Sequence, residues 1–83
     1  MSRPGPYEPE AIETIDREGR PLAVVYGRRR LRVSGIVDTW RIDEEWWREE
    51  VSRQYFVVEL ESHKRIVLFR DLIGGGWFRQ DRV

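Results

Sequence analysis

A change of phase in the apolar pattern of residues 30–42 constrains this fold more than any other feature of the chain. Leu31 and Val33 keep one parity, whereas three later apolar residues keep the other: Ile36, Trp40 and Ile42. The switch falls at Ser34-Gly35, and a glycine at such a switch is typical of a β-bulge or a sharp bend. Bends of this kind allow a small antiparallel sheet to curl into a barrel. The pattern therefore predicts a strongly bent, all-β fold.

The rest of the chain alternates short β-patterned segments with turn signals, as antiparallel sandwiches and barrels do. The predicted segments are a weak edge strand at 10–16 and strands at 22–26, 30–42, 54–60, 65–70 and 77–83. We expect one domain over residues 10–83, preceded by a proline-rich, flexible lead-in over residues 1–9. With five or six strands the barrel is predicted to be SH3-like, although an OB-like barrel has equally short and bent strands.

The small size of the chain requires an efficient core. A domain of 83 residues buries only about 60% of its unfolded surface. The sequence has no cysteine and one histidine, which excludes disulfides and makes a structural zinc site a poor fit. Four Trp, three Tyr and three Phe remain as the main source of buried area. We assign structural roles to seven residues: Gly35, Trp40, Ile42, Phe56, Arg70, Asp71 and Trp77.

Two of these, Arg70 and Asp71, are expected to form an ion pair that holds the turn before Trp77. An exposed pair of this kind contributes less than about 1 kcal/mol.

The segment 43–50 is acidic and short, and it predicts one helical turn. Asp43 suits an N-cap, and Glu44 and Glu45 would then occupy the first turn, where the helix dipole favours acids. Adjacent residues on a helix point about 100° apart. We therefore expect one of Trp46 and Trp47 to fill the barrel and the other to lie at its rim.

The charge is balanced overall but unevenly placed. Residues 43–50 carry a net charge of −4, so the rest of the chain carries +4. Of the 15 basic residues, 14 are arginine, whose planar fork suits phosphate and carboxylate groups.

Four arginines stand at a predicted hairpin tip: Arg28, Arg29, Arg30 and Arg32. They could bind phosphates of a single strand, with Tyr55, Trp46 or Trp47 as stacking platforms. The alternative is that these arginines pair with the acidic segment 43–50 of the same molecule. A net charge of zero argues against strong non-specific affinity for nucleic acid.

The residue types do not favour catalysis or cofactor binding. The single histidine, His63, lies in a predicted exposed turn and has no evident acid–base partner. Gly74-Gly75-Gly76 lacks the spaced Gly-Lys-Ser/Thr of a phosphate loop and is predicted to be a turn. We expect no enzyme activity, no cofactor and no metal. No apolar run approaches the roughly 20 residues of a membrane helix, and the cytoplasm is the default compartment.

Several short motifs resemble those of a known bacterial family. They are Pro21…Tyr26-Gly27, Val37-Asp38-x-Trp40-Arg41, Glu45-Trp46-Trp47, Arg53-x-Tyr55-Phe56-x-Val58, and Phe69-Arg70-Asp71…Gly76-Trp77-Phe78. The family consists of small domains of unknown function. Similar domains occur at the C-terminus of ImuB-type proteins, which are inactive relatives of Y-family DNA polymerases. The resemblance covers about residues 20–83.

The resemblance implies a role in DNA repair or translesion synthesis and carries over no catalytic residue. It leads to the hypothesis of a non-enzymatic interaction module whose protein partner is a DNA polymerase or another repair component. The alternative hypothesis is single-stranded nucleic-acid binding through the 28–32 hairpin and aromatic residues at the rim. The sequence does not indicate the oligomeric state.

Overall fold

The computed structural model describes residues 9–46 and 49–80, without the side chains of Trp46 and Glu49. Within these ranges it contains seven strands: β1 (Glu10–Ala11), β2 (Thr14–Arg17), β3 (Arg20–Tyr26), β4 (Arg29–Trp46), β5 (Glu49–Leu60), β6 (Arg65–Asp71) and β7 (Trp77–Gln80). No helix occurs in them, so the all-β prediction is confirmed. There are seven strands and not five or six because the segment predicted at 10–16 divides into β1 and β2. Residues 1–8 of the predicted lead-in and residues 81–83 of the predicted last strand lie outside the described residues.

One antiparallel sheet runs in the order β1-β7-β6-β5-β4-β3-β2, and its two edge strands are consecutive in the chain. β1 pairs with β7, and β2 pairs with β3. Between them, the Ile12 amide donates to the Trp77 carbonyl at 3.0 Å, and the Val25 amide donates to the Glu13 carbonyl at 2.9 Å. Residues 10–17 thus join the two edges, and the sheet curls into a small barrel.

Strand β4 belongs to both parts of this curled sheet. Its first residues pair with β3, and from Val33 onwards it pairs with β5. The register shifts between Val33 and Gly35, which confirms the predicted irregularity at Ser34-Gly35. The strand changes neighbours at this point, as strands do at the corners of orthogonally packed sheets.

A second register shift in β4, between Ile36 and Asp38, was not predicted. Ile36 lies opposite Val58, whereas Trp40 lies opposite Tyr55. Val58 and Tyr55 are an odd number of residues apart, so they point to opposite faces of the sheet. The expectation that Ile36 shares one face with Trp40 and Ile42 is therefore wrong. Only Ile42, two residues beyond Trp40, points to the same face of the sheet as Trp40.

The prediction of a helical turn at 43–50 is also wrong. Asp43 to Trp46 continue β4, and Glu49 to Ser52 belong to β5, with Trp46 paired to Glu49 in register. β5 pairs with β6 only from Arg53 onwards. The hairpin therefore extends past the neighbouring strands. Its backbone N–H and C=O groups are hydrogen-bonded between β4 and β5, so no helix is needed to satisfy them.

The inner face of the sheet carries the main hydrophobic core. It consists of Val24, Leu31, Phe56, Val58, Leu60, Ile66, Leu68 and Trp77, with Ile12, Tyr26, Val33 and Ile36 packed against it. Phe56 and Trp77 occupy the structural positions predicted for them, and their rings lie 5.6 Å apart. Side chains from five strands, β3 to β7, and from the β1–β2 connection thus meet inside the barrel.

A second aromatic layer covers the outer face. Trp40, Tyr55, Phe69 and Phe78 follow one another across β4, β5, β6 and β7. Their ring centroids are 5.2, 5.0 and 5.2 Å apart, and the Trp40 and Tyr55 rings are parallel within 3°. The guanidinium of Arg53 lies 4.4 Å from the Phe69 ring centroid. Strand β6 is therefore apolar on both sides, as predicted for a central strand.

The turn before Trp77 is held differently from the prediction. Arg70 pairs with Asp16, at 3.3 Å, and not with Asp71. The Asp71 carboxylate accepts hydrogen bonds from the backbone amides of Ile73 and Gly74, at 2.9 and 3.0 Å. These bonds lower the pKa of Asp71, with the Gly74 amide as the largest cause.

Replacement of Phe69 tests whether the outer layer acts as a second core. Phe69 is 1% exposed, and we expect Phe69→Ala to lower the free energy of unfolding by about 3–5 kcal/mol. Because the Phe69→Ala protein could be unfolded, Phe69→Leu provides a variant with a smaller loss of stability. The measurement is urea unfolding followed by tryptophan fluorescence. Ile73→Ala, at a residue 55% exposed, is the control and should change stability by less than about 0.5 kcal/mol. A Phe69→Leu protein as stable as this control would contradict the second core.

Candidate docking surfaces

The four arginines of the predicted hairpin tip do not form one cluster. Gly27 and Arg28 form the turn, with Gly27 at a φ of 68°, where glycine is favoured. After the turn, strand geometry points successive side chains to opposite faces. Arg29 lies opposite Tyr26, whose ring packs against the core, whereas Arg30 lies opposite Val25 on the outer surface.

Arg30 and Arg32 border a shallow depression of about 320 Å³ on the outer surface of β2, β3 and β4. We call this surface the arginine face, and its residues are Ile15, Leu22, Ala23, Arg30, Arg32 and Glu61. Leu22 is 41% exposed, and both arginines are exposed. Glu61 accepts a hydrogen bond from the Arg32 backbone amide at 2.7 Å. The surface combines an apolar floor with a predominantly positive rim.

The predicted pairing of the arginines with the acidic segment is not seen in residues 9–46 and 49–80. The ion pairs there are Arg41–Asp43, Arg65–Glu59 and Arg70–Asp16, and the His63 ring lies 3.8 Å from Glu59. The two charged regions lie towards opposite ends of β4. The strand contour from Arg30 to Glu44 is about 45 Å at about 3.3 Å per residue. The positive rim therefore keeps its charge available to a partner.

The protruding hairpin forms the acidic arm, which we define as residues 41–46 and 49–53. Glu45 lies directly opposite Glu50 across the two strands. Like charges in this position repel each other and destabilise the pair. Glu44, Glu45 and Glu50 are exposed, and no ion pair to them occurs in the described part of the chain.

Among the acids of the arm whose side chains the structure describes, Asp43 is the one with its own partners. The Ser52 hydroxyl donates to it at 2.5 Å, and Arg41 Nε lies 2.8 Å from its other oxygen. The hydrogen bond from Ser52 is the largest cause that lowers the pKa of Asp43, followed by the one from Arg41. Sequence reasoning assigned this carboxylate to a helix N-cap, whereas it links the two strands of the arm.

A third surface surrounds Tyr26, which sequence reasoning missed as a site residue. Lys64 Nζ lies 4.6 Å from the centroid of the Tyr26 ring, and the guanidinium carbon of Arg79 lies 4.8 Å from it. A pocket of about 220 Å³ opens beside this ring and is also lined by Arg65. Tyr26, the adjacent Lys64 and Arg65, and Arg79 come from three separate parts of the chain, so no local motif signals the group.

The predicted stacking residues do not join the arginines. Tyr55 is 6% exposed and lies within the outer aromatic layer, so its expected role as an exposed platform is wrong. Trp47 and the side chain of Trp46 lie outside the described residues. His63 has an exposed side chain, as predicted, and lies 3.8 Å from Glu59.

The described ranges contain neither a candidate metal site nor a membrane-spanning helix. No group of three or more His, Asp or Glu side chains there could hold a metal ion. No helix there is long and apolar enough to cross a membrane.

No family model matches the chain, and neither a curated protein nor a solved structure shows a significant match to it. The resemblance to the family of ImuB-associated domains therefore stays a prediction.

The lowered pKa of Asp43 predicts how the arm contributes to stability as the pH changes. A carboxylate with a depressed folded-state pKa stabilises the fold above its unfolded pKa, which is about 3.9, and this contribution is lost as the pH falls through the folded pKa. We expect Asp43→Asn to be less stable than the wild type near neutral pH and to approach it in acid.

Urea unfolding at a series of pH values measures this difference. In a Ser52→Ala background the pH dependence of the Asp43→Asn effect should shrink, because the largest cause of the shift is absent. A difference between wild type and Asp43→Asn that is constant with pH would contradict the assignment.

Proposed function

We propose that the protein is a non-enzymatic interaction module whose docking surface is the arginine face. Its partner there is a protein segment that is acidic and carries apolar side chains. The observation that supports this proposal is that Arg30 and Arg32 are exposed beside an apolar floor and form no ion pair within the described residues. Arginine is enriched at protein interfaces, and its fork can bind a carboxylate with two hydrogen bonds.

The shape of the surface supports a peptide segment over a small molecule. Ile15, Leu22 and Ala23 form a floor on adjacent strands, and Leu22 already exposes 41% of its surface to solvent. A small-molecule site would normally enclose most of its ligand. The depression lies instead on the outer surface of the barrel, where an extended or helical segment can lie across it.

The setting of this module is proposed to be DNA repair or translesion synthesis, with a polymerase or another repair component as the partner. This part rests on the family resemblance alone. Many of the residues that carry the resemblance, including Phe56, Val58, Phe69 and Trp77, are buried in the fold. The shared motif therefore consists largely of core residues, whereas Arg30, Arg32 and Leu22 lie outside it.

Affinity capture from a lysate that expresses the damage response tests the proposal. We expect the wild type to recover a polymerase or repair component and Arg30→Glu/Arg32→Glu to lose it, because the positive rim is reversed. Arg17→Glu/Arg20→Glu makes the same change in charge at the β2–β3 turn and should retain the partner. Equal recovery by both variants would exclude the arginine face as the docking surface.

A second candidate function is binding of single-stranded nucleic acid at the surface around Tyr26. The observation that favours it is an aromatic ring flanked by Lys64 and Arg79, next to the turn that carries Arg28. Base stacking on a tyrosine and cations for the phosphates are the features of such binders. Arg28 and Arg29 retain here the role that the sequence suggested, with Tyr26 in place of Tyr55.

Fluorescence anisotropy of a labelled oligothymidylate at about 50 mM salt tests this candidate, because phosphate contacts are strongest at low ionic strength. If the surface binds, Arg28→Glu/Lys64→Glu should reduce affinity at least about tenfold, whereas Arg30→Glu/Arg32→Glu should have a smaller effect. Absence of binding by the wild type would exclude the candidate.

A further inference from the structure

We infer that two copies of this chain associate, with the acidic arm of each copy bound to the arginine face of the other. Both surfaces belong to one chain, and they have opposite charge. Glu44, Glu45 and Glu50 are exposed on the arm, and Arg30 and Arg32 are exposed on the face. None of the five takes part in an ion pair in the described ranges.

The two surfaces of one molecule cannot neutralise each other. They lie towards opposite ends of β4, and the molecule is 39 Å along its longest axis. The arm is a paired hairpin, in which Glu44 is fixed opposite Val51 and Trp46 opposite Glu49. Folding it back onto the face would require breaking this pairing. Within the described residues neither surface meets its complementary charge in the same molecule, and a second copy supplies that charge.

The chemistry of the arm suits the arginine face of a second copy. Repulsion between Glu45 and Glu50 is relieved when a guanidinium approaches both carboxylates. Ile42 and Val51 are half-buried, and strand alternation places them with Glu44 on the face of the arm opposite to Glu45 and Glu50. The contact with the arginine face is therefore made by the face of the arm that carries Glu45 and Glu50, and opposite charge is what holds it.

Charge also selects the orientation of the two copies. Pairing arm to arm would place Asp43, Glu44 and Glu45 of the two copies together, and like charges across strands are destabilising. Pairing face to face would place arginines together. Two antiparallel copies related by a two-fold axis instead make both arm-to-face contacts at once, which closes the assembly as a dimer.

This association goes beyond the proposed function, and it competes with binding of the partner. A bound arm covers Arg30, Arg32 and Leu22, which are the residues proposed to bind the partner. Self-association then limits docking, and an acidic partner segment must displace the arm of the second copy. The dimer can be absent while the docking function stands, and the two can be tested separately.

Sedimentation velocity of the full chain at about 50 mM and about 500 mM salt tests the inference. Salt weakens the attraction between exposed charges, because the screening length is about 10 Å at 0.1 M and shortens as the salt concentration rises. We expect a species of twice the 10.0 kDa chain mass at low salt and a monomer at high salt. Glu45→Lys/Glu50→Lys exchanges one repelling pair for another, so the arm should remain folded while the dimer is lost. Arg30→Glu/Arg32→Glu should also be monomeric.

An equimolar mixture of these two variants provides the decisive result. Each arm again meets a face of opposite charge, so the mixture should regain the mass of a dimer. Glu10→Lys/Glu13→Lys changes the net charge as much as the arm variant does and should dimerise like the wild type. A wild type that is monomeric at every salt concentration, or a mixture that stays monomeric, overturns the inference.

The capture experiment distinguishes failure of the dimer from failure of the docking function. Glu45→Lys/Glu50→Lys should recover at least about twofold more partner than the wild type at equal concentration, since its arginine faces are not covered. Recovery equal to that of the wild type overturns self-capping. Loss of the partner by Arg30→Glu/Arg32→Glu would still support docking in that case.

Discussion

The two register shifts in β4 determine which of its side chains face the core and which face outward. Each shift leaves one residue, Ser34 or Val37, without a partner on β5. The first moves the strand from β3 to β5, and the second turns Trp40 away from the core side that Ile36 occupies. Without the second shift, the Trp40 ring would enter the barrel, and the stack with Tyr55 could not form. Val37, which the second shift leaves without a partner on β5, is exposed to solvent as a result.

The outer aromatic layer explains how a short chain stabilises a sheet whose outer side has no second sheet or helix over it in the described ranges. Tyr55 and Phe69 are buried there by their neighbours in the layer and by Arg53. Aromatic pairs add about 0.5–1.5 kcal/mol each beyond the area that they bury. The arm is attached directly to this layer through β4 and β5, so its position relative to the barrel is set by packed rings.

Features with a local cause could be predicted from the sequence. The glycine at the parity switch predicted the first bulge, and the apolar run of β6 predicted burial on both faces. The arm was missed because Asp43, followed by Glu44 and Glu45, also fits the first turn of a helix. The pairing that decides against the helix, such as Asp43 with Ser52, joins residues on different strands.

The candidate sites were less predictable for the same reason. The arginines were correctly placed at a β3–β4 hairpin, but strand alternation divides them between two faces. Tyr55 follows a polar residue in an alternating strand, which gives no indication that Trp40 and Phe69 cover its ring. The group of Tyr26, Lys64 and Arg79 depends on closure of the whole barrel, and sequence spacing carries no signal for it.

The closure of the sheet by residues 10–17 has a consequence for the order of folding. The hydrogen bond from Ile12 to Trp77 joins residues that are far apart in the chain, whereas β2, β3 and β4 meet through short turns. Contacts of high sequence separation form late, because they require closure of a long loop. During synthesis, the first strands emerge early but one edge of β1 must remain open until β7 is made. The protein therefore passes through a stage with unpaired strand edges, when it is most exposed to pairing with other chains.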